Sequence, residues 1–141
     1  MNFQNIQNNK TSIILSTYNE ALVIENTLKL IFETLKDVEV IVVDDNSTDG
    51  TLEIINKFKN YNLKVYSRKE RGLASAFLLG LINSDGVNFG WLDSNMGHLI
   101  KKFPLMIENL KDNDIVILSR YVKEGKDQRN KIRRITSKIV N

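Results

Sequence analysis

Five short polar clusters each follow an apolar run: Thr17-Tyr18-Asn19-Glu20, Asp44-Asp45, Arg68-Lys69-Glu70-Arg71, Asp93-Ser94-Asn95 and Ser119-Arg120. Carboxylates in such a set can hold a base, a ribose or a hard cation, and arginines can face phosphates through planar, charge-assisted hydrogen bonds. Acids and arginines together suit a nucleotide that carries a diphosphate. Taken singly, each cluster has an ordinary reading. An Asp pair after a strand is often a turn and helix-start device, Trp91 reads as a packed aromatic, and the sole histidine, His98, supports no serine triad. There is no Walker loop, Gly-x-Gly-x-x-Gly fingerprint or H-E-x-x-H pair. With no cysteine, disulfides, Cys-based zinc sites and thiol nucleophiles are excluded.

The elements that must position these clusters alternate between β-branched apolar runs and helix-period segments, the pattern of an α/β fold with a largely parallel sheet. Strands are expected at Ser12–Ser16, Glu39–Val43, Leu63–Ser67, Val87–Leu92 and Asp114–Leu118. Ala21, Ile24, Leu28, Ile31 and Leu35 mark one apolar helix face, with Asn19 as the expected cap. Asn46 to Gly50 supplies turn chemistry before a short helix carrying Leu52, Ile55 and Phe58 inward. Gly72 opens a helix whose Ala76 and Gly80 would let its backbone approach the sheet. The single proline, Pro104, fits the first turn of a helix through about Leu110. In an open parallel sheet, ligands gather outside the carboxyl ends of the strands, where all five clusters fall.

At 141 residues and 42% hydrophobic content the chain suits one domain. The expected division is a flexible head over 1–10, a nucleotide-binding body over 11–125 and a basic amphipathic segment over 126–141. The formal net charge is only +3, but Lys126, Arg129, Lys131, Arg133, Arg134 and Lys138 crowd the C-terminal end. They could attract anionic lipid, at roughly 1 kcal/mol each close to the surface. The alternative is a solvated helix face with Ile132, Ile135 and Ile139 turned inward. A nucleic-acid role is disfavoured, because the basic tail lacks interleaved aromatics. The head has no signal-peptide pattern and no apolar run reaches the ~18 residues of a membrane span. The cytoplasm is the expected location, with any membrane contact peripheral.

Five motifs occur together and in order: S-T-Y-N-E (Ser16–Glu20), V-V-D-D-N-S-T-D-G-T (Val42–Thr51), R-G-L-A-S-A (Arg71–Ala76), L-D-S-N-M-G-H (Leu92–His98) and S-R-Y (Ser119–Tyr121). Over about residues 12 to 136 the chain resembles the N-terminal half of glycosyltransferase family 2, in particular its dolichyl-phosphate mannose synthase-like polyprenyl-phosphate glycosyltransferases. The resemblance implies a GT-A fold, a nucleotide-sugar donor and Mg2+ or Mn2+. It places Ser16, Tyr18, Glu20, Arg71 and Ser94 around the nucleotide sugar, with Asp44 or Asp45 on the base or ribose. Asp93 and Asn95 would hold the cation at the diphosphate, and Arg120 would lie near the donor or acceptor phosphates. The implied reaction is inverting transfer of a sugar, from GDP-mannose first or UDP-glucose second, to a polyprenyl phosphate.

The sequence departs from the family pattern at the centre of the site. The second acid becomes Asn95, the position two further on becomes Gly97, the proline pair after His98 becomes Leu99-Ile100, and Ser16 replaces a common proline. An amide oxygen can ligate a hard cation but adds no charge, so the cation would lean more on the diphosphate. The family's catalytic domain also continues well beyond the basic segment, so the chain reads as a donor-binding half, either a fragment or a short or inactive homologue that only binds nucleotide sugar. A receiver-like phosphoacceptor domain shares paired acids after a strand and an L-D-x-x-M element. It leaves Ser12–Lys36 unexplained and lacks its final lysine-proline step.

Overall fold

The computed structural model describes residues 10–119. β1 (Thr11–Thr17), α1 (Ile24–Thr34), β2 (Glu39–Asp44), α2 (Thr51–Asn56), β3 (Leu63–Ser67), α3 (Leu73–Ile82) and β4 (Asn88–Asp93) alternate as the apolar runs predict. A 3-10 segment (Ser94–Lys102) and α4 (Phe103–Asn109) follow. The four strands form one parallel sheet in the order β3-β2-β1-β4. The chain steps outward from β1 to β3, then returns to the other side of β1, so the topological switch point lies between β1 and β4.

The two faces of the sheet are covered unequally. On one, Ile13, Leu15, Val40, Val42 and Leu92 pack with Ile24, Leu28 and Ile31 of α1 and with Ile100 and Phe103. On the other, α3 lies across β1 and β2, with Ala76 against Ile41 and Val43. Gly80 is required there, because a Cβ would come within 2.5 Å of Ile14 Cγ2. Every residue of β2 is buried, as expected for a central strand covered on both faces. Pro104 does sit in the first turn of its helix.

Two expectations are corrected. Asn19 does not cap α1: the helix begins at Ile24 after a turn, Val23 holds the cap position without a side-chain bond, and Asn19 Oδ1 instead accepts from Thr48 N–H at 2.9 Å. Asp114–Leu118 is not a strand. Ile115 and Ile117 are 76% and 79% exposed, and with no ladder partner among the described residues the apolar alternation alone cannot make a strand. The segment flanks an apolar groove of about 660 Å3 that also involves Trp91, Leu99, Phe103 and Met106. Ser94–Lys102 forms helical turns that the sequence pattern does not announce.

No helix among the described residues is long and apolar enough to cross a membrane. The polar head over 1–9, Arg120, Tyr121 and the basic segment over 126–141 lie outside the described residues.

Candidate active site at the carboxyl ends of the strands

β1 and β4 pair in a register that sets Ser16 opposite Asp93, which places the Asp93 carboxylate at the switch point. Asp93 and Asn95 are exposed, and neither side chain has a hydrogen-bond partner among the described residues. Ser94 between them is 1% exposed, its carbonyl accepting from Thr27 Oγ1 at 2.6 Å. This contact seats the 3-10 segment on α1 and turns residues 93 and 95 outward. Ser94 itself is enclosed between its two exposed neighbours. Gly97 belongs to the same seat: a Cβ there would lie 2.6 Å from Thr27 Oγ1, so a side chain at this position would displace the segment.

The paired acids after β2 are not open ligands. Asp44 is fully buried and accepts from Thr17 Oγ1 (2.9 Å), Ser47 Oγ (2.5 Å) and Ser47 N–H (2.9 Å). Asp45 is 8% exposed and receives Arg68 in a bidentate pair, Nε at 2.5 Å and Nη2 at 3.2 Å, with Gly72 N–H at 3.1 Å. Arg68 also donates to Gly72 O and Ser75 Oγ. The sequence names Arg68 as one of a cluster, but its pairing with Asp45 spans 23 residues and carries no local signal.

The remaining motif residues stitch the β1–α1 and β2–α2 loops together. Asn19 N–H donates to Ser47 Oγ, Glu20 N–H to Thr51 Oγ1, and Ala21 N–H to Asp49 Oδ2 at 3.0 Å. The Thr51 hydroxyl and the Ala21 N–H hold the Asp49 carboxyl below the usual carboxylate range. These three backbone bonds fix the height of Tyr18 and Glu20 above the sheet. Glu20 is half-buried, and Ser16 is half-buried at the end of β1. Tyr18 is 41% exposed, with the Arg71 guanidinium 3.8 Å from its ring centroid and Arg71 Nη2 also donating to its hydroxyl.

Tyr18, Glu20, Arg71, Asp93 and Asn95 thus share the carboxyl edge of one sheet, with Asp44, Asp45 and Ser94 behind them as support. Among the described residues there is no group of three or more His, Cys, Asp or Glu that could hold a metal ion. One free carboxylate and one free amide oxygen do fit a cation that takes most of its ligands from a bound diphosphate, since hard cations accept oxygen donors of either kind.

The sequence profile of Glycosyl transferase family 2 matches residues 12–139. The chain belongs to this family. It is 39% identical to a dolichol-phosphate mannosyltransferase of Pyrococcus furiosus over 83% of its length, and 33% identical to the dolichol-phosphate mannosyltransferase of Saccharomyces cerevisiae over 78%. It spans 35% and 44% of those two proteins, respectively. Its structure is similar to that of a mannosyltransferase from Pyrobaculum calidifontis in complex with GDP-Man and Mn2+, with a TM-score of 0.56 and 32% identity over 60% of this chain and 27% of the other. The fold of this family 2 chain is the α/β arrangement of the GT-A glycosyltransferases, as its motifs imply.

Proposed function

We propose that this family 2 domain is the donor-binding part of a hexosyltransferase. It would transfer mannose from GDP-mannose to a polyprenyl phosphate with inversion, with UDP-glucose as the alternative donor. The observation that carries this reading is the free, exposed Asp93 carboxylate at the β1/β4 switch point, in a chain 39% identical to a dolichol-phosphate mannosyltransferase.

In this reading the base and ribose lie toward Tyr18 and Glu20, and the diphosphate lies toward Asp93 and Asn95. A divalent cation held there by Asp93 Oδ and the Asn95 amide oxygen, Mg2+ or Mn2+, would offset the negative charge that builds on the departing nucleoside diphosphate. Asp93 positions that charge, the 3-10 segment holds Asp93 rigid through Thr27, and Arg120 is proposed to add a fixed positive charge at the phosphates. Attack from the face opposite the leaving group gives inversion. A phosphate acceptor is already an anion and needs no strong general base, whereas a sugar hydroxyl would gain from one. The commitment of both Asp44 and Asp45 to structural bonds favours the phosphate. A lipid-borne acceptor would place the protein at the cytoplasmic membrane face, where the basic segment would meet anionic lipid.

Asn95 in place of an acid favours one second reading, a homologue that binds the nucleotide sugar without transferring it. Calorimetric titration with GDP-mannose and UDP-glucose, each with and without Mn2+, tests both readings. Manganese-dependent binding of one donor supports a working donor site. Absence of binding to a folded chain removes the proposal.

A further inference from the structure

The loop between β3 and α3 is pinned at both ends to the same carboxylate. Arg68 binds Asp45 through two nitrogens and Gly72 binds it through its N–H, leaving Lys69, Glu70 and Arg71 as an exposed three-residue strap. The strand order puts β2 between β1 and β3, so the strap reaches Tyr18 only by crossing above the end of β2. Across that gap the planar Arg71 guanidinium lies 3.8 Å over the Tyr18 ring, with Nη2 donating to the phenol oxygen.

A guanidinium plane stacked on an aromatic ring occupies the surface that a heteroaromatic base would use. We infer that Arg71 is a built-in competitor for the Tyr18 ring face, which an incoming nucleotide base must displace before the donor is fully seated. This rests on the reading of the site as a nucleotide-sugar pocket and adds a control element to it. The device is suited to exchange: the pins at Arg68 and Gly72 keep the strap in place, and only the Arg71 side chain has to swing. The freed guanidinium stays beside the pocket, where its charge can meet the phosphates. An exposed cation–π contact of this kind costs a competing ring about two- to fivefold in affinity.

The test separates the base from the phosphates by using neutral nucleosides. Guanosine and uridine are titrated into the 141-residue chain and its Arg71→Ala and Tyr18→Leu variants, followed by NMR, with folding checked by circular dichroism. Arg71 and Tyr18 are both exposed, so the fold should survive either change. The expected result is about two- to fivefold tighter nucleoside binding in Arg71→Ala, loss of binding in Tyr18→Leu, and a shift of the Arg71 side-chain resonance in the unmodified chain as nucleoside is added. Equal or weaker nucleoside binding in Arg71→Ala, or an Arg71 resonance unmoved at saturation, overturns the inference while leaving the donor site intact. If no nucleoside or nucleotide sugar binds any folded form, the donor site and the inference fall together.

Discussion

The two ends of the parallel sheet carry similar residue types and use them in opposite ways. At the amino end Glu39 is fully buried, with Ser12 Oγ donating to Oε2 at 2.5 Å and Asp85 N–H donating to it at 2.9 Å. Its other oxygen, Oε1, lacks a well-aligned donor and is met by the Lys64 ammonium at 2.8 Å. Lys64 reaches on to Asp85 and to Asn83 O, and Ser12 Oγ accepts from Gly86 N–H. Burial pushes the Glu39 carboxyl up, but Lys64, Ser12 and the Asp85 N–H more than offset it, and the group ends below its ordinary value. The same contacts, Glu39 before Asp85, push Lys64 up. At the carboxyl end Asp44 and Asp45 are likewise enclosed, yet Asp93 and Asn95 are exposed without partners among the described residues. Closure holds the strands together, and the polar groups left free lie at the end proposed to bind the donor.

Variants at the two ends should therefore separate activity from stability. In a complete, active enzyme carrying this domain, Asp93→Ala is expected to lower kcat by about a hundred- to a thousandfold, by analogy with removal of a charge-stabilising group. Because Asp93 is exposed, its urea midpoint should stay put; wild-type turnover in that variant would end the proposed role. Lys64→Met should do the reverse. It leaves the buried Glu39 without its cation, a change that costs about 3 kcal/mol or more in comparable buried pairs. Chemical denaturation would report that loss, while donor affinity in the surviving folded fraction should hold.

Arg68→Ala falls between these. Removing the bidentate partner of Asp45 should cost about 1–3 kcal/mol, the range for a charged hydrogen bond, and loosen donor binding by freeing the strap. Donor binding at the wild-type constant would show that the strap is not part of the pocket. The smallest effect concerns pH. Glu39 is lowered in the folded state, so its contribution to stability is present above its unfolded value near 4.5 and is lost as pH falls through the folded value. Lys64 is raised, so its contribution is present below about 10.5 and is lost only as pH rises through the higher folded value. Unfolding midpoints should be level across neutral pH with an acid limb below about pH 4.5, and in Lys64→Met that limb should weaken, because Glu39 loses the cation that lowers it. An unchanged limb would detach Glu39 from acid stability.

The strands through β4 and the helix faces were legible because their signals are periodic and local. The apolar run of Val40 to Val43 and the small residues of α3 each dictate their own burial. The place of Asp93 at the carboxyl end of a strand was legible because it ends an apolar run and a turn follows. The enclosure of Asp45 and Ser94 was not legible, since each is decided by a partner far along the chain: Arg68 is 23 residues from Asp45, and Thr27 is 67 from Ser94. The same limit explains Asp114–Leu118, whose alternation is that of a strand while its pairing depends on a neighbour that no local pattern reveals. The 3-10 turns after Asp93 are short and carry no 3.6-residue repeat to read.

The register of β1 against β4 has a kinetic meaning. Ser16 and Asp93 are neighbours in the sheet, yet among the described strands β1 is the first and β4 the last, with β2 and β3 between them in sequence. Closing that ladder encloses the largest loop in the sheet, and pairings so distant in sequence are slow to form. The β1–β2 and β2–β3 pairs can assemble first from shorter loops. The carboxylate proposed to hold the diphosphate is therefore delivered by the last ladder to close, and the centre becomes competent only when folding of the sheet is complete.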